Sequence, residues 1–385
     1  MMTIRPGIAY VGVNDHDLDL FEAQYTVPNG MSYNSYVITD EKIAVLDSVE
    51  VRFGGVWLEN IARVLGNRQP DYLIVQHMEP DHSANIRLFM ERYPQATVVA
   101  SAKALSMMKG FYGECYEGRS LAVKDGDTLP LGSRTLRLIA APMVHWPEVM
   151  MTYDEREGVL FSADAFGKFG ALDCPEPWED EARRYYFGIV GKYGVQVQGV
   201  LRKLSGLTLT AIAPLHGPVL TDGVARALEL YGIWSSYAPE NDGVVIAYAS
   251  VYGHTREAAA LLGERLTAQG LCVHLFDLAR CDWSQAVAQA FACRRLVLAA
   301  TTYNADVFPC MRAFIGHLTA RGYKGRTVAL MENGSWAPQA AKVMQTLLEG
   351  CKDITLLTPV VRIMSALGEE SRAQLEQLAQ AIAQG

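Results

Sequence analysis

Six consecutive residues, His77-Met78-Glu79-Pro80-Asp81-His82, close the apolar run Tyr72-Leu73-Ile74-Val75-Gln76. A run this apolar reads as a buried strand. A buried strand that ends in two imidazoles and two carboxylates has no packing reason to carry so much polar surface. Metal ions offset the desolvation of all four groups, so the segment looks like half of a two-metal site. The second position of the H-x-[H/E]-x-D-H pattern bears on which metal. Histidine there completes the nitrogen side of a di-zinc hydrolase, whereas Glu79 offers an anionic oxygen suited to iron or manganese and to redox work.

Other strand-like runs end in similar groups. The run 135–141 leads to His145, the run 159–163 to Asp164 and the run 210–215 to His216. In layered α/β folds ligands gather past the carboxyl ends of strands, so the seven groups are expected on one face. Taken singly, each histidine reads as an ordinary structural residue. Together, four imidazoles and three carboxylates exceed what one ion with an open position needs, and they suit two ions if one carboxylate bridges.

The spacing H-x-E-x-D-H, followed by His145, Asp164 and His216, resembles the metallo-β-lactamase-like domain of flavodiiron proteins. The resemblance implies an αββα sandwich in which His77, Glu79 and His145 bind one iron, Asp81, His82 and His216 bind the other, and Asp164 bridges. Segment 29–36 is similar to the family's amino-terminal strand. Some members carry a histidine behind the ligands a few residues upstream of that strand; here Phe21-Glu22-Ala23-Gln24-Tyr25 offers Glu22 or Gln24 instead.

After a polar break at 235–243 the pattern becomes a regular alternation of strand and helix, which divides the chain into domains 1–240 and 241–385. Strands are expected near 244–249, 271–277, 295–300, 326–331 and 354–360, with amphipathic helices such as 255–269 and 371–384: a doubly wound parallel sheet. Its first strand-to-helix turn, Ser250-Val251-Tyr252-Gly253-His254-Thr255, offers two hydroxyls, a glycine that admits close backbone approach, and a helix amino end, which together suit a phosphate. The loop lacks G-x-G-x-x-G and G-K-[ST], and it resembles the phosphate loop of flavodoxin, with His254 where asparagine is commoner. FMN is the cofactor this implies. Two later loops, Thr302-Tyr303-Asn304-Ala305 and Asn333-Gly334-Ser335-Trp336, would then hold the isoalloxazine, with Tyr303 and Trp336 against the ring.

Lys and Arg number 34 against 42 Asp and Glu, a balance of −8 with no footprint for nucleic acid. No apolar run reaches the roughly 20 residues of a membrane span, and the amino end lacks a signal-peptide core, so a cytoplasmic protein is expected. Seven cysteines without C-x-x-C pairs read as reduced thiols. A rubredoxin iron site requires such pairs, so electrons are expected from a separate donor, which the flavodiiron resemblance implies is rubredoxin or a reduced deazaflavin cofactor. The family resemblance implies an oxidoreductase that takes electrons at FMN and reduces dioxygen to water, nitric oxide to nitrous oxide, or both, at two non-haem irons. It also implies a head-to-tail homodimer or a dimer of dimers, with Trp146 and Glu79 facing the partner's flavin. The alternatives are a di-zinc hydrolase with an appended flavodoxin module, and a flavin-binding module whose first domain is inert.

Overall fold

The structure is a computed structural model that describes residues 2–385. The chain separates into two compact units, Met1–Gly232 and Ile233–Gly385.

In the first unit two sheets face each other. One runs Thr3–Arg5, Ile8–Tyr10, Tyr36–Thr39, Ile43–Leu46, Tyr72–Val75, Thr97–Ser101, Ser120–Val123; the other runs Thr128–Pro130, Thr135–Ala140, Met150–Asp154, Val159–Phe161, Ala211–Ala213. Ile43–Leu46 and Val159–Phe161 are buried throughout, as continuous apolar strands inside a layered fold should be. Their side chains meet in one core that draws Tyr36, Leu46, Ile74 and Val99 from the first sheet and Leu136, Leu138, Phe161 and Ala213 from the second. These two facing sheets with a shared core are the sandwich expected from the sequence. Within the second sheet Val159–Phe161 and Ala211–Ala213 are parallel, with Leu160 opposite Ile212, so Asp164 and His216 leave the sheet at the same end. Tyr72–Val75 delivers His77 from the other sheet two residues after it ends.

The second unit is a doubly wound sheet with spatial order Val273–Asp277, Asn241–Ala249, Cys293–Tyr303, Lys324–Asn333, Lys352–Leu356, every neighbouring pair parallel. Strand order reverses between Asn241–Ala249 and Cys293–Tyr303, and a ligand crevice opens at such a switch point. Two features differ from the sequence reading. The last strand is split into Lys352–Leu356 and Val361–Ile363, because Pro359 has no N–H to give the ladder. The strand Asp306–Val307 folds back on Cys293–Tyr303 as a short hairpin.

The polar break is also shorter than its composition suggests. Helix Val224–Ser236 runs into it from one side and strand Asn241–Ala249 begins inside it. The second unit starts at Ile233 because the residues that follow are fastened within it. Trp234 Nε1 donates to Glu240 Oε1 at 2.7 Å, Tyr237 lies against Phe291, and the buried Arg326 donates to the Tyr237 carbonyl at 2.7 Å.

Among the described residues no helix is long and apolar enough to cross a membrane, and the seven cysteines are free.

Ile246 is fully buried among Leu262, Val297 and Met331 in the core of the second unit. Ile246→Ala is expected to lower the stability of that unit by about 2–5 kcal/mol, through lost transfer energy and the cavity left behind. Urea unfolding would read this as a lower midpoint at an unchanged slope.

Candidate metal centre and second-unit pocket

Backbone geometry brings the ligand-bearing loops together, and the side chains form two groups. In the first, His77 Nε2, His145 Nε2 and Glu79 Oε2 lie 3.1–3.2 Å from one another. Asp164 Oδ2 joins them at 2.8 Å from His145 and 3.4 Å from His77. In the second, His82 Nε2 and His216 Nε2 are 2.9 Å apart, with Asp81 Oδ2 at 3.2 and 3.3 Å. Asp164 Oδ1 reaches this group at 3.5 Å from His82 and 3.9 Å from His216. One carboxylate therefore contributes an oxygen to each group.

These separations fit ions at the centres. Bonds of about 2.1 Å meeting at about 90–109° put neighbouring donors roughly 3.0–3.4 Å apart, and the separations here, 2.8–3.9 Å, bracket that spacing. Hydrogen bonding alone leaves the cluster unsatisfied. Both Asp81 oxygens and Asp164 Oδ1 are buried with no hydrogen-bond partner, and ring nitrogens face each other in both groups.

Two of the four imidazoles are aimed by partners that local sequence did not reveal. Glu148 Oε1 lies 2.8 Å from His77 Nδ1 and also accepts the Met78 N–H at 2.9 Å. The Ser32 carbonyl accepts His216 Nδ1–H at 2.7 Å. Each contact fixes a proton on Nδ1 and turns the Nε2 lone pair toward the cluster. Asp47, fully buried, accepts the backbone N–H groups of Gln76 at 2.7 Å and His77 at 3.2 Å, pinning the strand end that bears the motif. His82 Nδ1 has no such partner.

The charges are strongly coupled. Burial opposes charge on His77, but Asp164, Glu148 and Glu79 outweigh it and hold the imidazole well above its ordinary pKa. Burial likewise opposes charge on His145, yet Asp164 and Glu79 raise it to about 9. Asp164, despite its own burial, is held well below the usual carboxylate range by His77 and His145. An arriving cation takes the place of protons on these imidazoles, so its apparent affinity is expected to climb with pH up to about 9.

A cavity of about 270 Å³ opens beside the ligands and is lined by Glu79, Asp81, Phe21, Tyr33, Glu50 and Glu22. Of the two upstream candidates Glu22 is the one in the wall, and Gln24 donates to it at 3.1 Å. Although the residue as a whole is exposed, desolvation of its carboxyl and then the charge of Glu79 raise its pKa to about 7. Phe21, Tyr33 and Tyr185 surround the His216 ring, and Trp146 stands edge-on to His77 and stacks on Phe111.

The second unit holds a cavity of about 400 Å³ lined by Ser250, Val251, Tyr252, His254, Thr255, Thr302, Tyr303, Asn304, Ala305, Asn333, Gly334, Ser335 and Trp336, with Thr301 at the start of the second loop, and by Ala337 and Ser365, which the sequence reading left out. Gly253 sits behind the lining at φ 100°, a left-handed conformation that caps helix His254–Ala268 and favours glycine. The two hydroxyls differ in circumstance. Ser250 Oγ accepts the Gly253 N–H at 3.1 Å and keeps its own proton to donate. Thr255 is buried, 3.1 Å from the Thr301 hydroxyl, and accepts from Asn333 Nδ2 at 3.4 Å. Trp336 is 82% exposed and Tyr252 93%, so broad aromatic faces stand at the mouth with little protein packed against them.

Comparison with known proteins agrees with both halves. A family model described as ODP family beta lactamase matches residues 31–217. Diflavin flavoprotein A 1 of Synechocystis sp. strain PCC 6803 is 32% identical over 287 residues, covering 72% of this chain and 50% of that protein. The chain thus spans about half the length of the diflavin flavoproteins it matches. Anaerobic nitric oxide reductase flavorubredoxin of Escherichia coli O1:K1 is 27% identical over 362 residues, covering 90% of this chain and 75% of that one. Among solved structures, the rubredoxin oxygen:oxidoreductase of the anaerobe Desulfovibrio gigas aligns with a TM-score of 0.92 at 26% identity, over 100% of this chain and 98% of its own.

Glu148 supplies the clearest test of the geometry. Glu148→Gln removes the carboxylate behind His77 while keeping the side chain's size, and metal affinity is expected to fall about 10- to 100-fold. Metal analysis after dialysis against a graded chelator measures this, with circular dichroism as the check on folding.

Proposed function

We propose that the chain is a flavodiiron protein, an oxidoreductase that receives electrons at FMN and reduces dioxygen to water, nitric oxide to nitrous oxide, or both, at a non-haem di-iron centre. One observation carries the proposal: the Asp164 carboxylate has an oxygen in each of two donor groups, and one of those groups includes the anionic oxygen of Glu79. A di-zinc hydrolase has less use for that oxygen ligand and none for the second-unit pocket.

His77, Glu79 and His145 would hold one iron, Asp81, His82 and His216 the other, with Asp164 between them. The second-unit pocket would hold FMN, with the turn 250–255 at its phosphate and the loops 302–305 and 333–336 at its ring. When bound, two ferrous ions and a reduced flavin supply four electrons, the number that carries dioxygen to water. The protein's own part is to position and to exclude. Glu148, Ser32 and Asp47 hold the ligating segments in place, while Phe21, Tyr33 and Tyr185 keep bulk water from His216. Both reductions consume protons. The Glu22 carboxyl, in the cavity wall beside Glu79 and Asp81, is the group placed to hold one. Partners in this proposal are the gases, an external donor (rubredoxin or a reduced deazaflavin cofactor) and a second copy of the chain arranged head to tail.

Anaerobic stopped-flow of the reduced, iron- and FMN-loaded protein against each gas tests the assignment. At least one gas should reoxidise the flavin within turnover time and without releasing peroxide. Glu79→His should keep FMN and lose that reaction; undiminished reoxidation in this variant, or two zinc ions per chain in protein made with ample iron, would sink the proposal. Glu22→Gln is expected to keep wild-type iron and FMN while slowing turnover on the order of 100-fold near neutral pH. An unchanged rate would remove Glu22 from proton handling.

A further inference from the structure

Away from both sites, three side chains of different chemistry converge on the surface of the first unit: one donor atom each of His16, Asp173 and Cys174 lies within 4.8 Å of the other two. His16 Nε2 and Asp173 Oδ2 are 3.2 Å apart, and the two side chains are 53% and 60% exposed. So exposed an ion pair adds little stability by itself, and the adjacent sulfur has no part in it.

We propose that His16, Asp173 and Cys174 form a binding site for a borderline-soft divalent cation of the zinc class, with water completing a four-coordinate shell. The donor set selects the ion. Magnesium and calcium prefer shells made entirely of oxygen, whereas an imidazole, a carboxylate and a thiolate together suit zinc. Bonds of about 2.0–2.2 Å to nitrogen and oxygen and about 2.3 Å to sulfur require donors some 3.3–3.7 Å apart, close to the 3.2 Å between His16 and Asp173 and within the 4.8 Å that bounds all three. On binding, the Cys174 S–H bond breaks, its proton goes to solvent, and a sulfur–metal bond takes its place.

Backbone contacts put the donors together without help from an ion. His16 follows strand Val13–Asp15, while Asp173 and Cys174 lie in the loop between Asp164 and helix Trp178–Tyr185. Asn14 Oδ1 accepts the Leu172 N–H at 3.0 Å, and the Asn29 carbonyl accepts the Ala171 N–H at 2.9 Å. Cys174 N–H turns back to the Ala171 carbonyl at 3.2 Å. Gly30, at φ 65°, lies so close to the Asp15 carbonyl and His16 Cα that any side chain there would push His16 away. A bound ion would therefore clamp an existing arrangement, tying the loop that begins at Asp164 to an early strand.

The sulfur separates this site from the proposed iron centre, whose donors are all nitrogen and oxygen. The iron- and FMN-loaded full chain would be equilibrated with one equivalent of zinc chloride and its zinc-edge X-ray absorption recorded. A sulfur neighbour at about 2.3 Å alongside nitrogen and oxygen is expected. Cys174→Ser should lose that sulfur and His16→Ala should bind zinc at least tenfold more weakly, both with wild-type iron and FMN content. A wild-type shell of nitrogen and oxygen only would overturn the proposal, as would a sulfur neighbour that survives in Cys174→Ser.

Discussion

The shared carboxylate of Asp164 is the constraint around which the first unit is organised. It is buried, it carries charge, and it has one oxygen in each group of imidazoles. A buried anion is tolerated only among compensating cations, and here the compensation comes from histidines delivered by both sheets of the sandwich. His77 arrives from the strand Tyr72–Val75 of one sheet, and His216 follows Ala211–Ala213 of the other. The face-to-face packing of the sheets is thus what puts nitrogen donors on both sides of one carboxylate. A shift between the sheets would separate them.

Around that centre the fold spends polar groups on orientation. Asp47 and Glu148 are buried carboxylates that ligate nothing in the cluster and hold segments that do. Their burial disfavours their own charge, and for Asp47 it outweighs the hydrogen bonds from Gln76 and His77 and leaves the carboxyl raised to about 7. Such costly groups persist where they fix the direction of a ligand, since a rotated imidazole presents the wrong nitrogen.

Much of this was legible in the sequence for a physical reason. Ligands that follow strands within a few residues leave a compact pattern, so His77 to His82, Asp164 and His216 could be read from strand ends alone, and the turn 250–255 from its hydroxyls and glycine. Partners set by tertiary packing leave none. Glu148 meets His77 from 71 residues away, and the Ser32 carbonyl meets His216 from 184, through contacts to which local composition is blind. The environment of Thr255 was hidden likewise: as a loop hydroxyl it reads as a phosphate donor, and only the folded chain shows it engaged with Thr301 and Asn333. The split of the last strand could have been read, since Pro359 announces it.

The way the second unit begins has a practical side. Composition invites a cut near residue 240, in the polar stretch. Arg326 is buried and reaches the Tyr237 carbonyl as well as those of Cys293 and Phe291, so Tyr237 closes a cage of carbonyl oxygens around its guanidinium. Severing the chain at 240 would leave that cage open on one side and take away the ring that Tyr237 lays on Phe291. A fragment meant to carry the pocket by itself should begin no later than Ile233, keeping Trp234 and Tyr237.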